Sequence, residues 1–155
     1  MKRIISSSII ALFAMFMIVL SADVASAQRE PNWARRNNRA GVNAMIRRLE
    51  NATDAFMTQL NRALDRTRMD GTRREDNLMR DASALEAAAD ELRREYDRRD
   101  SWWENRDEVS RCIAAARRLN SQMRDRRLNN LTRNNWSRVQ RELNALARVY
   151  NLPGV

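Results

Sequence analysis

From Val42 to Thr67, apolar or small side chains recur at positions 42, 46, 49, 53, 56, 60, 63 and 67. The residues are Val42, Ile46, Leu49, Thr53, Phe56, Leu60, Ala63 and Thr67, and the steps alternate between four and three. This is an unbroken heptad seam, the spacing that holds one face of a helix against partner helices. It predicts a helix from about Arg39 to Arg68. Asp70-Gly71 closes it, since Gly71 can take a left-handed conformation without steric cost.

Three more helices follow from the same pattern. Thr72-Arg73-Arg74-Glu75 is a capping box that opens a helix to about Arg98, with Leu78, Ala82, Leu85, Ala89, Leu92 and Tyr96 as its seam. Glu95 and Arg99 form a favourable i, i+4 pair at its end. Ser101-Trp102-Trp103-Glu104 is a second capping box. It predicts a third helix from Ser101 to about Arg127, carrying Val109, Cys112, Ile113, Ala116, Leu119 and Met123, with Asp107 and Arg111 paired across one turn. Thr132 is the N-cap expected for a fourth helix to Tyr150, with Trp136, Val139, Leu143, Leu146 and Tyr150 on its seam. No stretch alternates as a strand would. The connections are short, so neighbouring helices should run antiparallel. The expectation is an all-α, up-down four-helix bundle with left-handed, heptad-type packing over residues 39–152.

Residues ahead of the bundle read differently. Lys2 and Arg3, the apolar run Ile9 to Leu20, and Ala25-Ser26-Ala27 have the layout of an export signal. The mature chain is expected to begin at Gln28, with a polar lead-in to Asn38. The rival reading, an uncleaved anchor, would want roughly 20 apolar residues, and Ser6, Ser7 and Ser8 interrupt this run. The protein is therefore expected in the periplasm or outside the cell, without a transmembrane span after cleavage.

Charge adds a second asymmetry. The only lysine is Lys2, and residues 28–155 carry 27 arginines against 19 acids. Residues 28–108 balance at 17 and 17, whereas residues 109–155 hold 10 arginines and only Asp125 and Glu142. Guanidinium groups grip phosphate and carboxylate bidentately, so an anion-facing surface is one reading. A solvated face with local ion pairs is the other. In an antiparallel bundle Arg68, Arg73 and Arg74 from the first turn meet Arg124, Arg126, Arg127 and Arg133 from the last, and this end is the candidate anion patch.

The opposite end gathers Tyr96, Trp102 and Trp103. The first three helices are expected to span about 40–45 Å and the fourth only about 28 Å at 1.5 Å per residue. These aromatics then need a cover: the tail Leu152–Val155, the lead-in around Trp33, a second copy, or a ligand. If uncovered, they form a candidate apolar interaction site. Cys112, the only cysteine, is either a small buried hydrophobe or the source of an intermolecular disulfide.

Chemistry is declared nowhere. Without histidine there is no His-based triad and no His-ligated haem, zinc or di-iron site. One cysteine excludes thiolate clusters, and three isolated glycines leave no phosphate-cradling loop. The acid pairs Glu86 with Asp90 and Glu91 with Glu95 read as a wet helix face. No catalytic, metal or cofactor-binding residue is expected, and no specific nucleic-acid contact.

Across Leu64-Asp65-Arg66-Thr67-Arg68-Met69-Asp70-Gly71-Thr72-Arg73-Arg74-Glu75-Asp76-Asn77, and from Trp136 through Leu143-Asn144-Ala145-Leu146-Ala147-Arg148-Val149-Tyr150, the chain resembles a group of exported, arginine-rich helical bacterial proteins with no assigned activity. The resemblance implies the helical fold over most of the mature chain and implies no site. The expected role is non-enzymatic: protein interaction or structure in the cell envelope, of a chaperone-like kind, with another envelope protein or a second copy as partner. The alternative is a binder of polyanions or anionic membrane surfaces through the arginine-rich end.

Overall fold

The computed structural model describes residues 30–66, 72–124 and 128–155, with the side chain of Arg124 outside the description. The expected signal at residues 1–27, the turn at residues 67–71 with Arg68, and residues 125–127 with Arg126 and Arg127 lie outside the described residues. Four α-helices follow in order: α1 (Arg39–Leu64), α2 (Arg73–Arg98), α3 (Arg106–Arg124) and α4 (Asn130–Val149). Short 3-10 turns at Ala34–Arg36 and Trp102–Asn105 precede α1 and α3. Among the described residues there is no strand.

The heptad seams form the core. Val42, Ile46, Leu49, Thr53, Phe56, Leu60 and Ala63 of α1 are all buried, as are Leu78, Ala82, Leu85, Ala89, Leu92 and Tyr96 of α2. The expected apolar positions of α3 and α4 are buried as well, from Val109 to Met123 and from Trp136 to Tyr150. Thr53, the polar member of the α1 seam, satisfies its hydroxyl on the Leu49 carbonyl one turn back at 2.9 Å. Burying one leucine side chain contributes about 1.5–3 kcal/mol, so the packed seams rather than helix propensity hold the bundle together.

Pairings across the helices give their direction. Arg48 meets Glu142 at 3.0 Å, Asn135 donates to the Ala55 carbonyl at 3.3 Å, and Thr132 donates to the Gln59 carbonyl at 3.4 Å. Positions thus rise along α1 as they fall along α4, so the two helices are antiparallel. The α1–α4 interface is the widest, α2–α3 and α1–α2 follow, and α3–α4 is the narrowest. This ring of contacts is the expected antiparallel four-helix bundle.

Several local expectations are corrected. Ser101 makes no side-chain cap, so the expected second capping box does not form. Its residues build a 3-10 turn instead, with the Glu104 amide on the Ser101 carbonyl at 3.2 Å. As a result α3 has 19 residues and begins at Arg106 rather than Ser101. The N-cap of α4 is Asn129, whose Oδ1 accepts from the Thr132 amide at 2.8 Å. Thr132 lies inside the first turn because asparagine is the stronger cap and sits three residues ahead of it. Arg111 pairs with Glu108 at 3.1 Å, not with Asp107. The expected Thr72 cap does form, accepting from the Glu75 amide at 3.3 Å. So does the Glu95–Arg99 pair, at 3.3 Å.

The end of α4 has a feature the pattern did not announce. Asn151 takes a positive φ of 51°. The Leu152 amide donates to the Ala147 carbonyl at 2.8 Å and the Asn151 amide to the Arg148 carbonyl at 3.3 Å. These are the two bonds of a Schellman motif, with asparagine in the left-handed position. The turn sends the tail back along α4. There Val155 N donates to Asn144 Oδ1 at 2.8 Å, while Arg117 of α3 donates to the carbonyls of Pro153 (3.2 Å) and Gly154. Leu152 and Val155 pack on the core. The tail therefore adds a link between α3 and α4, the narrowest of the four interfaces.

Candidate functional site

At the tryptophan end the cover is internal. Trp33 in the lead-in packs against Trp102 and Tyr150, both at 5.8 Å between ring centroids. Trp102 meets Tyr150 edge-on at 5.3 Å and Trp103 at 6.1 Å. Tyr96, Trp102 and Tyr150 are buried and Trp103 is half-buried. Of the expected covers, the lead-in around Trp33 takes this role, while the tail lies further along α3 and α4. Tyr96 and Trp102 thus belong to the core and present no open apolar patch. The large hydrophobic exposed among the described residues is Leu131, at the start of α4. Two buried atoms here lack a hydrogen-bond partner among the described residues, Trp103 Nε1 and Asn105 Oδ1. Each carries a desolvation cost of about 1–3 kcal/mol.

Arginines brace this end by gripping backbone. Arg39, the first residue of α1, donates through Nη1 to the carbonyls of Arg99 and Asp100 (both 2.6 Å) and through Nη2 to that of Tyr96 (3.0 Å). Arg106, the first residue of α3, donates to the carbonyls of Tyr150 (3.2 Å) and Asn151 (3.4 Å). Each supplies positive charge and forked donors to the carbonyl end of an antiparallel neighbour. Glu108, only 4% exposed, receives both Nη atoms of Arg99 at 3.1 and 3.3 Å and Arg111 at 3.1 Å. Neither the carbonyl clamps nor the burial of Glu108 was expected from the sequence.

The expected anion patch is placed only in part. Arg68, Arg126 and Arg127 and the side chain of Arg124 lie outside the description. Arg73, Arg74 and Arg133 are exposed, and Arg133 donates to Asn130 Oδ1. The structure adds a row that the sequence reading did not single out. Arg138, Arg141 and Arg148 are exposed on α4, three and seven residues apart, on the side away from Trp136, Val139, Leu143 and Leu146. None of the three has an ion-pair partner among the described residues. The one acid of α4, Glu142, is taken by Arg48. Helical spacing of the arginines at 138, 141 and 148 was the signal that could have found this row.

The acid pairs of α2 are engaged or shielded. Glu91 meets Arg94 at 2.6 Å and Glu95 meets Arg98 at 2.9 Å. The hydrogen bond from Arg94 holds the Glu91 carboxyl below its ordinary range. Burial, then the charges of Asp90 and Asp54, push the Glu86 carboxyl upward. Cys112 is buried and free, and its burial raises the thiol to about 12. Among the described residues no group of three metal-ligating side chains is placed to hold an ion, and no helix is long and apolar enough to cross a membrane. No protein-family model, curated protein or solved structure matches the chain.

Proposed function

We propose that the protein is an exported, non-catalytic binding protein whose α4 face engages anionic membrane surfaces. The carrying observation is the row Arg138, Arg141 and Arg148, exposed on one side of α4 and without carboxylate partners among the described residues. Nine other arginines are spent on structure. Arg39, Arg106 and Arg117 hold carbonyls, and Arg48, Arg93, Arg94, Arg98, Arg99 and Arg111 hold acids. Helix α4 lies parallel to its own row of charges, so all three guanidiniums can reach a flat surface together. The reading as a protein-interaction module has less support, because Trp33 covers Trp102 and Tyr96 is buried.

Co-sedimentation with phosphatidylglycerol vesicles, titrated with salt, tests this reading. A basic residue near an anionic surface is worth about 1 kcal/mol, roughly a fivefold change in affinity. The double variant Arg138→Gln, Arg141→Gln should therefore bind about 25-fold more weakly and show a shallower salt dependence. Absence of binding at low salt, or a double variant that binds as the parent does, would overturn it.

A further inference from the structure

We propose that a cleft at the tryptophan end, between the lead-in and the close of α4, is a binding site for a small acidic sugar: a hexose ring bearing a carboxylate or phosphate. The cleft has a volume of about 390 Å³ and is lined by Asn32, Trp33, Arg36, Asn37, Arg148 and Asn151. That volume falls in the range of small-molecule sites, roughly 300–1,000 Å³.

Both walls are fixed by contacts already described. On one side Trp33 is seated on Trp102 and Tyr150, Ala34 is fully buried, and the Asn37 amide closes the 3-10 turn on the Ala34 carbonyl at 3.0 Å. On the other, Arg148 and Asn151 belong to the Schellman turn of α4. The site therefore needs no large rearrangement to form, which lowers the ordering cost of binding.

The lining chemistry selects the ligand class. No residue of the lining is acidic. Arg36 and Arg148 have no ion-pair partner among the described residues, so two guanidinium forks are available to an oxyanion. The carbonyl end of α4 would by itself repel an anion, but Arg106 sits on its carbonyls at Tyr150 and Asn151. Three asparagines add carboxamides that both donate and accept, which matches hydroxyl groups that do the same. Trp33 supplies an apolar wall for the C–H face of a ring. A bare inorganic anion would use the arginines and leave the asparagines and the tryptophan idle. A neutral sugar would leave the arginines idle.

The cleft shares only Arg148 with the α4 row, so the two sites separate experimentally. Isothermal titration calorimetry on the purified protein would compare glucuronate, glucose 6-phosphate, glucose and inorganic phosphate. Glucuronate or glucose 6-phosphate should bind at least tenfold more tightly than either glucose or phosphate. Arg36→Gln, at an exposed position, and Asn37→Ala, at a half-buried one, should each weaken that binding, Arg36→Gln by about tenfold or more. Arg138→Gln, Arg141→Gln should leave it unchanged while impairing vesicle binding. Vesicles bearing a glucuronosyl lipid, bound through Arg36 when free glucuronate is not, would place the acidic sugar on a lipid headgroup. Binding of glucose or phosphate as tight as that of the acidic sugars would overturn the proposal. So would unaltered affinity in Arg36→Gln, or no binding of any acidic sugar, free or on vesicles.

Discussion

Tyr96 donates its hydroxyl to the Arg39 carbonyl at 2.5 Å, and the Arg39 guanidinium lies 4.8 Å above the Tyr96 ring while it grips the Tyr96 carbonyl. Each residue thus satisfies the other's backbone and covers its side chain. The second half of the chain repeats the arrangement. Tyr150 at the end of α4 donates to the Trp102 carbonyl at 2.8 Å, and Arg106 at the start of α3 grips the Tyr150 carbonyl. Both hairpins, α1–α2 and α3–α4, are therefore tied at the tryptophan end by one arginine and one tyrosine. This pairing gives the two hairpins a common construction.

Arg39 should be among the most sensitive partly exposed positions. Its replacement by alanine removes a charged donor from three carbonyls and a cation from the Tyr96 ring. A hydrogen bond involving a charged group is worth about 1.5–3 kcal/mol, and the ring contact about 0.5–1 kcal/mol at an exposed site. The contacts share one side chain and do not add fully, so Arg39→Ala should cost about 2–3 kcal/mol in urea denaturation. Arg39→Lys should recover less than half, because an ammonium cannot span three carbonyls as the guanidinium fork does. Full recovery by lysine would show that charge alone matters there.

Much of this architecture was legible because heptad seams report burial directly. Apart from Thr53, the seam positions from Val42 to Ala63 and from Leu78 to Tyr96 are apolar or aromatic where they face the core, and short polar turns dictate antiparallel neighbours. The arginine clamps were not legible. Arg39 and Arg106 act on carbonyls 44 to 61 residues away, and a carbonyl has no signature in a side-chain pattern. Glu108 was hidden for a related reason. Its neighbour Asp107 has the i, i+4 spacing to Arg111, whereas burial of Glu108 depends on Arg99 arriving from the α2–α3 turn. The candidate sites divide in the same way. The aromatics were read correctly as needing a cover, and Trp33 was one of the covers considered. The cleft beside Trp33 depends on where the tail of α4 turns, and only the left-handed Asn151 fixes that.

Glu108 should behave as a shared anchor rather than a surface acid. It is 5% exposed at the side chain and receives Arg99 from the α2–α3 turn and Arg111 from its own helix. Removing it takes the buried acceptor from Arg99, which keeps Glu95, and the paired acid from Arg111. Glu108→Ala is expected to cost about 1–3 kcal/mol. Glu91→Ala, which breaks an exposed pair with Arg94, should leave stability nearly unchanged, because solvent screens such pairs. Equal effects of the two substitutions in thermal denaturation would refute the distinction.

The tail should respond to its turn chemistry. Asn151 sits at φ 51°, a region glycine enters freely and β-branched residues avoid. Asn151→Gly should leave stability unchanged or slightly raised, and Asn151→Val should lower it by about 1–2 kcal/mol. Gly154 matters through space instead: a Cβ there would collide with Asn144 Oδ1, the atom that accepts from Val155. Gly154→Ala should therefore loosen the tail and raise amide exchange at Val155, while the core of α1 and α2 stays protected. Unchanged exchange at Val155 would mean that the tail is not held by Asn144.

Alkaline pH should expose the burial of Cys112. Its thiol rises from 9.0 to about 12, first because burial disfavours the thiolate. Tyr150 and Tyr96 are also pushed above the ordinary phenol value, again chiefly by burial. In each case the unfolded chain gives up its proton at a lower pH than the folded chain. The stabilising contribution of the neutral thiol is therefore complete below pH 9.0 and is lost as pH rises towards about 12. Stability measured in urea should be flat in this respect from neutrality to about pH 9 and then fall. In Cys112→Ala the thiol contribution is absent, so the fall should begin only in the tyrosine range. The same burial makes Cys112 a poor nucleophile. At neutral pH its thiolate fraction should be roughly a thousandfold lower than that of a thiol at the ordinary value. Native protein should consequently resist iodoacetamide, and urea should restore labelling. Rapid labelling of the native protein, or a parent and Cys112→Ala variant that lose stability in parallel above pH 9.0, would show that the thiol is open to solvent.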